Sequence, residues 1–169
     1  MTIYELTIPL FGKMLRNLDG WLVKATHYAE TKKFPVDNLI KARLAPDQFA
    51  LDQQVQSSCD TAKFLAARLT GKDAPSHADT EKTFGELRER VAKVTAYLDT
   101  FTAADFTGAA ERKISLPRWE GKWLRGDEYA MHHAIPNFYF HATTAYAILR
   151  HNGVDVGKRD YLGTMPFHT

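Results

Sequence analysis

The sequence predicts an all-α protein: an antiparallel four-helix bundle with a small β-hairpin or ordered loop before its last helix and an irregular C-terminal tail. Four long segments repeat apolar residues every three or four positions, the period of a helix with one buried face. Short or medium connections join these segments, as expected for helices that pack into a bundle. The 169 residues contain no internal repeat and no linker, so we expect one domain over residues 1–169.

The first two helices are delimited by their apolar stripes and by helix-breaking residues. The first stripe runs from Phe11 to Ala29, and Pro35 lies just beyond its end. Pro46 and Asp47 are typical of a helix start, so we expect the second helix to begin there, with Phe49 on its apolar face. Gly71 stands where a C-terminal glycine cap is expected.

The third helix follows the breaker Pro75-Ser76, and its apolar residues alternate by three and four between Phe84 and Phe101. We expect its seam residues to be buried together. The segment from Thr102 to Asp105 then begins another helix or forms a short turn. The seam comprises Phe84, Leu87, Val91, Val94, Leu98 and Phe101.

A different pattern occupies residues 113–126, where apolar and polar residues alternate around Pro117 and a possible Glu120-Gly121 turn. This pattern predicts the β-hairpin or ordered loop. The fourth helix is expected over residues 127–150, with a kink or a restart at Pro136, which has no backbone N–H to donate. The apolar residues of the tail, residues 154–169, predict that it folds back onto the bundle.

Composition excludes several classes of protein. Twenty-two Lys and Arg residues against 20 Asp and Glu residues give a net charge of +2, too mild for a nucleic-acid or anionic-membrane protein. No apolar stretch approaches the roughly 20 residues that cross a membrane. A single cysteine, Cys59, excludes a disulfide scaffold. With no secretory signal at the N-terminus, we expect a cytoplasmic protein without a membrane partner.

The fourth helix carries the most conspicuous candidate site. His133, Asn137 and His141 follow one another at spacings of four, which places them on one face of an unbroken helix. Two histidines four residues apart can hold zinc or nickel when a neighbouring helix adds a third ligand, but here the spacing of four pairs each histidine with Asn137, a poor ligand for these metals. A mixed site would need His133, His141 and Asp60 together. The alternative is that His141 is a core histidine, hydrogen-bonded to a backbone or asparagine partner.

The hairpin supports a different hypothesis, a nucleic-acid surface. Basic residues there interleave with two tryptophans, as on surfaces that stack bases and neutralise phosphates. A solvated hairpin whose tryptophans pack on the bundle would give the same pattern. The residues concerned are Lys113, Arg118, Trp119, Lys122, Trp123 and Arg125.

Three stretches resemble a bacterial family of unknown function, DUF1993. They are residues 136–160, which include Leu149-Arg150-His151-Asn152-Gly153; the Leu-x-Pro-Asp-x-Phe motif from Leu44 to Phe49; and Arg68-Leu-Thr-Gly71. That family is grouped with the DinB and YfiT-like four-helix bundles. The resemblance therefore implies a DinB-like bundle, often dimeric, in a superfamily with many metalloenzymes and thiol transferases.

The superfamily's metal ligands are one histidine on the second helix and a His-x-x-x-His pair on the fourth, ahead of the Leu-Arg-x-x-Gly ending. Counting back from that ending places Asn137 and His141 at the pair, so only one of the two histidines is present. The second helix has no histidine. The residues there that could face the site are Gln53, Gln56, Ser57 and Asp60.

We therefore predict a homodimeric DinB-like bundle that has lost the metal triad, needs no cofactor, and binds a small molecule or a partner between its helices. The alternative is a metal- or thiol-dependent transferase or hydrolase that uses His141 and His133, with zinc or nickel completed by Asp60. A weaker alternative is a nucleic-acid-associated stress protein. The predicted pocket residues are Asn137, His141, His133, Tyr139, Tyr146, Trp123, Gln53, Gln56 and Asp60.

Overall fold

The computed structural model describes residues 1–168, which form an all-α four-helix bundle. The bundle is closed by four packed pairs, because the first helix contacts the third and last long helices, and the second helix contacts the same two. The helices are α1 (Ile3–Lys32), α2 (Leu51–Thr70), α3 (Phe84–Leu98), α4 (Gly126–Tyr129), α5 (Ile135–His151) and α6 (Lys158–Leu162), with a π-helical segment (Ala130–Ala134) joining α4 to α5.

Helix α1 begins eight residues before the predicted stripe and continues through Pro9. Its start is fixed by a capping box, in which Thr2 Oγ1 accepts from the Glu5 N–H at 3.2 Å and Glu5 accepts from the Thr2 N–H at 2.7 Å. Its last helical residue is Lys32, and Lys33 caps the end in the left-handed conformation, with φ 61°. The helix therefore ends just before Pro35, as predicted.

The predicted start of the second helix is wrong. Residues 45–48 form a turn instead, closed by the Gln48 N–H donating to the Ala45 carbonyl at 3.1 Å. Helix α2 begins at Leu51, and Phe49 is 50% exposed rather than on the buried face. Gly71 caps the end of α2 in the left-handed conformation, with φ 78°, as predicted.

The seam of α3 is buried as predicted. Its apolar residues are at most 3% exposed, and they share one core with α1, α2 and α5. Thr102 and Asp105 cap a short 3-10 helix (Ala103–Phe106), which is the short turn that the sequence allowed. The buried seam residues are Phe84, Leu87, Val91, Val94, Leu98 and Phe101.

The predicted hairpin is present as two short strands, β1 (Lys113–Ile114) and β2 (Leu124–Arg125). They pair antiparallel, with Lys113 opposite Arg125 and Ile114 opposite Leu124. A 3-10 turn (Pro117–Trp119) lies between them and turns toward the last long helix. The hairpin therefore forms a small flap at one side of the bundle.

The restart predicted at Pro136 is confirmed. The Ile135 N–H donates to the Ala130 carbonyl, five residues back, which is the hydrogen bond of a π-helix. The α-helical pattern resumes at Ile135, and Pro136, which has no N–H to donate, follows just after the π-helical segment. A π-helical segment therefore precedes the candidate residues of α5.

Gly153 lies two residues beyond the end of α5, has φ +93° and packs against Tyr28 of α1. A Cβ atom added there would lie 2.5 Å from the Tyr28 hydroxyl oxygen, so the chain ending needs glycine for both conformation and space. Val154 and Val156 are then buried, and the Tyr161 ring of α6 stacks on Trp21 at 5.6 Å. The first part of the tail folds back as predicted.

The end of the tail does not follow this prediction in full, because Met165 is 43% and Phe167 is 84% exposed. Within residues 1–168, no helix is long and apolar enough to span a membrane.

Candidate ligand-binding cleft between helices α2 and α5

A cleft of about 320 Å³ lies between α2 and the stretch that runs from α4 to α5. Its volume falls at the lower end of the range for small-molecule sites. One wall belongs to α2, the opposite wall to the π-helical segment and α5, and the hairpin closes one end. The lining residues are Phe49, Ser57, Asp60, Thr61, Phe64, Arg68, Leu116, Arg118, Tyr129, His133, Asn137 and His141.

His141 is held in the cleft by a buried glutamine. The Gln54 side-chain amide donates to the Phe49 carbonyl at 3.0 Å, which turns its oxygen toward His141. Because that oxygen only accepts, His141 Nδ1–H is the donor in the 2.7 Å contact between them. Nε2 of the neutral ring is then an acceptor without a hydrogen-bond partner in the described chain. The partner of His141 is a glutamine side chain, not the backbone or asparagine partner that the sequence suggested.

Asn137 is held by the same helix. Its side-chain amide donates to Thr61 Oγ1 at 2.7 Å, and the Thr61 hydroxyl donates to the Ser57 carbonyl at 2.7 Å. Both polar residues of α5 are therefore oriented by α2. Since each partner is itself hydrogen-bonded, the arrangement is preorganised before any ligand binds.

His133 faces the hairpin. An Arg118 N–H donates to His133 Nε2 at 2.5 Å, and the imidazole ring stacks on Tyr129 with centroids 5.4 Å apart. Burial lowers the pKa of His133, and the positive charges of Arg118 and Arg68 lower it further. The neutral ring that accepts this hydrogen bond is therefore the favoured form.

Asp60 lies at the opposite end of the cleft, in a cluster of ion pairs. Its carboxylate contacts the Arg90 guanidinium at 2.6 Å and the Lys63 ammonium at 2.8 Å. Arg90 also pairs with Glu81 at 3.0 Å and with Asp79, so it joins α2 to the chain that leads into α3. The Arg90 side chain is 1% exposed. Asp60 is therefore paired with two buried cations, one of which it shares with two other carboxylates.

These contacts bear on the metal site that the superfamily suggests. His133, His141 and Asp60 all line the cleft, but each is engaged by a protein partner. Within residues 1–168, no three His, Cys, Asp or Glu side chains are grouped so that they could hold a metal ion. Asn137 uses its amide to bind Thr61. The residues at these positions do not fit a divalent metal.

Two of the residues predicted on α2 face a neighbouring pocket instead. Gln53 accepts from the Ala50 N–H at the start of α2, and Gln56 donates to Glu81 at 2.9 Å. The pocket that they line has a volume of about 790 Å³ and shares Phe49, Ser57 and Asp60 with the cleft. The predicted Ser57 and Asp60 do line the cleft, whereas the α2 side chains that hydrogen-bond to α5 are Gln54 and Thr61, each one position after a predicted residue.

Three predicted pocket residues lie elsewhere. Tyr139 packs edge-on against Phe11 in the core, 6.0 Å between ring centroids. Tyr146 packs on Trp21, and its hydroxyl donates to a tail carbonyl. Trp123 is 50% exposed on the hairpin, with the Lys113 ammonium over its ring. None of the three lines the cleft, because their positions on α5 and the hairpin turn them to the core, the tail or solvent.

Sequence reasoning missed several residues of the cleft. Gln54 and Thr61 are buried in the structure, but in the sequence they stand among other polar residues of α2, so no sequence signal distinguished them from Gln53 and Asp60. No local pattern reveals that the loop residue Phe49 and the helix residues Phe64, Arg68 and Tyr129 meet across the bundle. Arg118 was noticed only as part of a basic hairpin.

Cys59 does not line the cleft. Its side chain is fully buried in α2, and burial raises the pKa of the Cys59 thiol to about 12. A thiol in that environment stays protonated near neutral pH and is a poor nucleophile.

The hydrogen bond between His141 and Gln54 should contribute measurably to the free energy of unfolding. We expect His141→Ala to lower the free energy of unfolding by about 1–3 kcal/mol, because the buried Gln54 amide oxygen loses its donor. Gln54→Leu should remove most of this penalty in the double variant. Urea unfolding of the four proteins of the cycle measures the coupling; an uncoupled pair, in which the two effects simply add, would contradict the hydrogen bond.

The histidines also make stability depend on pH. Burial lowers the pKa of His141, and the pKa values of His133 and His77 are also lowered, with burial as the largest cause. The unfolded chain then binds more protons near and below pH ~6.5, so stability is full above that pH and falls as pH falls. Urea unfolding across this window should give a slope that His141→Gln reduces. A flat profile in the wild type would contradict the prediction.

Comparisons with known proteins agree with this architecture. The family model described as "Domain of unknown function (DUF1993)" matches residues 3–162. The chain is also similar to a crystal structure of a DinB family member protein from Shewanella denitrificans, at 57% identity and a TM-score of 0.95. That alignment covers 98% of this chain and 94% of the other. No functionally curated protein matches significantly. The similarity spans every element that lines the cleft.

Proposed function

The chain belongs to the DUF1993 family, and from that premise and the geometry of the cleft we propose that it binds a small organic molecule between α2 and α5. The observation that carries the proposal is that His141 and Asn137 line the cleft in orientations set by partners on α2. Fixed polar groups in a concave wall are the usual means by which a site orients a ligand. Binding through them costs little side-chain entropy, because the side chains are already ordered.

The aromatic residues of the cleft support the same proposal. Phe49 is 50% exposed at the junction between the cleft and the neighbouring pocket, and its ring lies nearly parallel to that of His141, with centroids 6.4 Å apart. Phe64 lines the opposite part of the wall. A planar ligand placed here would cover apolar surface and hydrogen-bond to His141 Nε2. The proposed ligand is therefore planar or partly aromatic and carries a hydrogen-bond donor.

A neutral aromatic amide tests this proposal. Benzamide, titrated into isotope-labelled protein, should shift the amide resonances of residues around the cleft, and His141→Gln should weaken its binding. His151→Gln, at the exposed end of the same helix, is the matched control and should bind as the wild type does. Shifts confined to another surface, or equal binding by His141→Gln, would overturn the proposal.

We further propose that the protein is a homodimer. Large apolar side chains are exposed on α1, where Leu10 is 42% and Val23 is 43% exposed, and near α5, where Met131 is 54% and Phe140 is 56% exposed. Burial of these side chains against a second copy of the chain would remove apolar surface from water. Sedimentation equilibrium should give twice the mass of one chain, and Phe140→Glu should shift the measured mass toward that of a single chain. Phe167→Glu, in the exposed tail, is the control and should keep the doubled mass. A wild-type protein of single-chain mass would contradict the proposal.

A further inference from the structure

We infer that the ligand of this cleft carries a negatively charged group, a carboxylate or a phosphate monoester, which binds to Arg68 and Arg118. This inference rests on the proposed function and adds the charge of the ligand. Both arginines line the cleft, one from the last turn of α2 and the other from the 3-10 turn of the hairpin. They thus approach the same space from two separate elements.

Arg68 is positioned by aromatic residues rather than by an acid. It donates to the Tyr129 hydroxyl at 2.9 Å, and its guanidinium lies 4.7 Å from the centre of the Phe64 ring. A guanidinium has five N–H donors in a planar fork that matches two oxygens of a carboxylate or phosphate. Most of these donors remain available once the bond to Tyr129 is made.

Arg118 is held in a similar way. It donates to His133 Nε2, a neutral acceptor that leaves its positive charge uncompensated. Within residues 1–168, five arginines pair with carboxylates and five do not, and of the five that do not, only Arg68 and Arg118 line the cleft. The five that pair are Arg16, Arg88, Arg90, Arg125 and Arg150.

The acid that lines the cleft does not cancel these charges. Asp60 is bound by Lys63 and Arg90, and Arg90 is shared with Asp79 and Glu81 of the neighbouring pocket. Three carboxylates against two cations leave this cluster about one negative charge, which is less than the two positive charges of Arg68 and Arg118. The part of the cleft near the hairpin is therefore positive, and two uncompensated guanidinium groups in a half-enclosed space favour an anion.

A bound anion would also change the protonation of His133. Its imidazole now accepts from Arg118 and lies near two positive charges. A carboxylate or phosphate placed between the arginines would offset those charges, so the pKa of His133 should rise on binding. Proton uptake at His133 is thus a second readout that a nonspecific surface contact would not produce.

Three probes of similar shape separate charge from shape: benzoate, phenyl phosphate and the neutral benzamide. We expect at least one anion to bind the wild type roughly tenfold more tightly than benzamide, as one charge-assisted contact would provide. Arg118→Gln and Arg68→Gln should each remove most of this preference. Arg159→Gln makes the same change of charge at an exposed position of α6 and should keep it. Resonances of His133 should titrate at higher pH in the complex with the anion.

The outcomes distinguish this inference from the proposed function. Equal affinity for the anions and benzamide, with shifts in the cleft, would overturn the anion inference and leave the proposed function intact. No binding of any probe in the cleft would overturn both. A preference for benzoate over phenyl phosphate, or the reverse, supports the inference and identifies which anion the ligand carries. Retention of the anion preference by both folded arginine variants would overturn it.

Discussion

Replacing Gly126 with alanine should lower the free energy of unfolding by about 3 kcal/mol, an effect typical of severe overpacking. Gly126 is the first residue of α4, where the hairpin meets the last long helix, and it is buried. An added Cβ would overlap the carbonyl oxygen of Ala109 and lie 3.0 Å from a methyl group of Leu69. Because the obstacle is backbone, relief requires movement of the turn that precedes the hairpin. For a chain of this size, the loss corresponds to a fall in Tm of roughly 6–12 °C.

Gly20→Ala is the matched control, since the same methyl group is added in the middle of α1 with nothing within 4 Å of it. That substitution should raise stability by about 0.5–1 kcal/mol, because alanine loses less backbone entropy than glycine in a helix. Opposite signs for the two variants in urea unfolding would establish that the effect at Gly126 is steric. A neutral Gly126→Ala would show that the contact between α4 and Ala109 is looser than described.

Arg90→Ala should be the most destabilising change of a charged residue, with a loss of about 3–5 kcal/mol. The guanidinium is almost wholly buried and binds Asp60, Glu81 and Asp79, which come from α2 and from the connection into α3. Burial by itself would raise the pKa of Glu81, but hydrogen bonds from Arg90 and Gln56 lower it below its usual value. Removing Arg90 leaves these carboxylates without their main counter-charge.

Arg88→Ala, two residues earlier on the same helix, is the control. Its guanidinium pairs with Asp19 at 2.7 Å, but the two side chains are 45% and 34% exposed, so its loss should cost at most about 1 kcal/mol. Urea unfolding at neutral pH compares the two variants directly. Equal losses would mean that the buried cluster around Arg90 contributes no more than a surface pair.

The long helices could be predicted from periodicity, because each one carries an apolar stripe that packs into the shared core. The start of α2 could not. Pro46 and Asp47 resemble a helix start locally, whereas the N–H groups of Leu51 and Asp52 donate to the carbonyls of Ala42 and Ile40 in the preceding loop. These hydrogen bonds take the place of a side-chain cap, and they join residues about ten positions apart, so the sequence near Leu51 does not indicate them.

The cleft was predicted in part. His133, Asn137, His141 and Asp60 do surround one space, since the spacing of four along α5 survives the π-helical segment before it. The error on α2 was one of helical phase. One residue along a helix is a rotation of about 100°, so Gln53, next to Gln54, faces the neighbouring pocket. α2 is buried on more than one side, and an apolar stripe alone does not identify which side meets α5.

The ending Leu-Arg-x-x-Gly has a consequence for how variants of this protein are interpreted. Leu149 is buried in the core, and Gly153 occupies a left-handed position against the hydroxyl of Tyr28. Neither residue lines the cleft. A substitution at either residue therefore acts on the assembly of the bundle. A loss of ligand binding in such a variant would indicate a damaged scaffold, whereas the same loss after a change at His141 or Asn137 would indicate an altered recognition site.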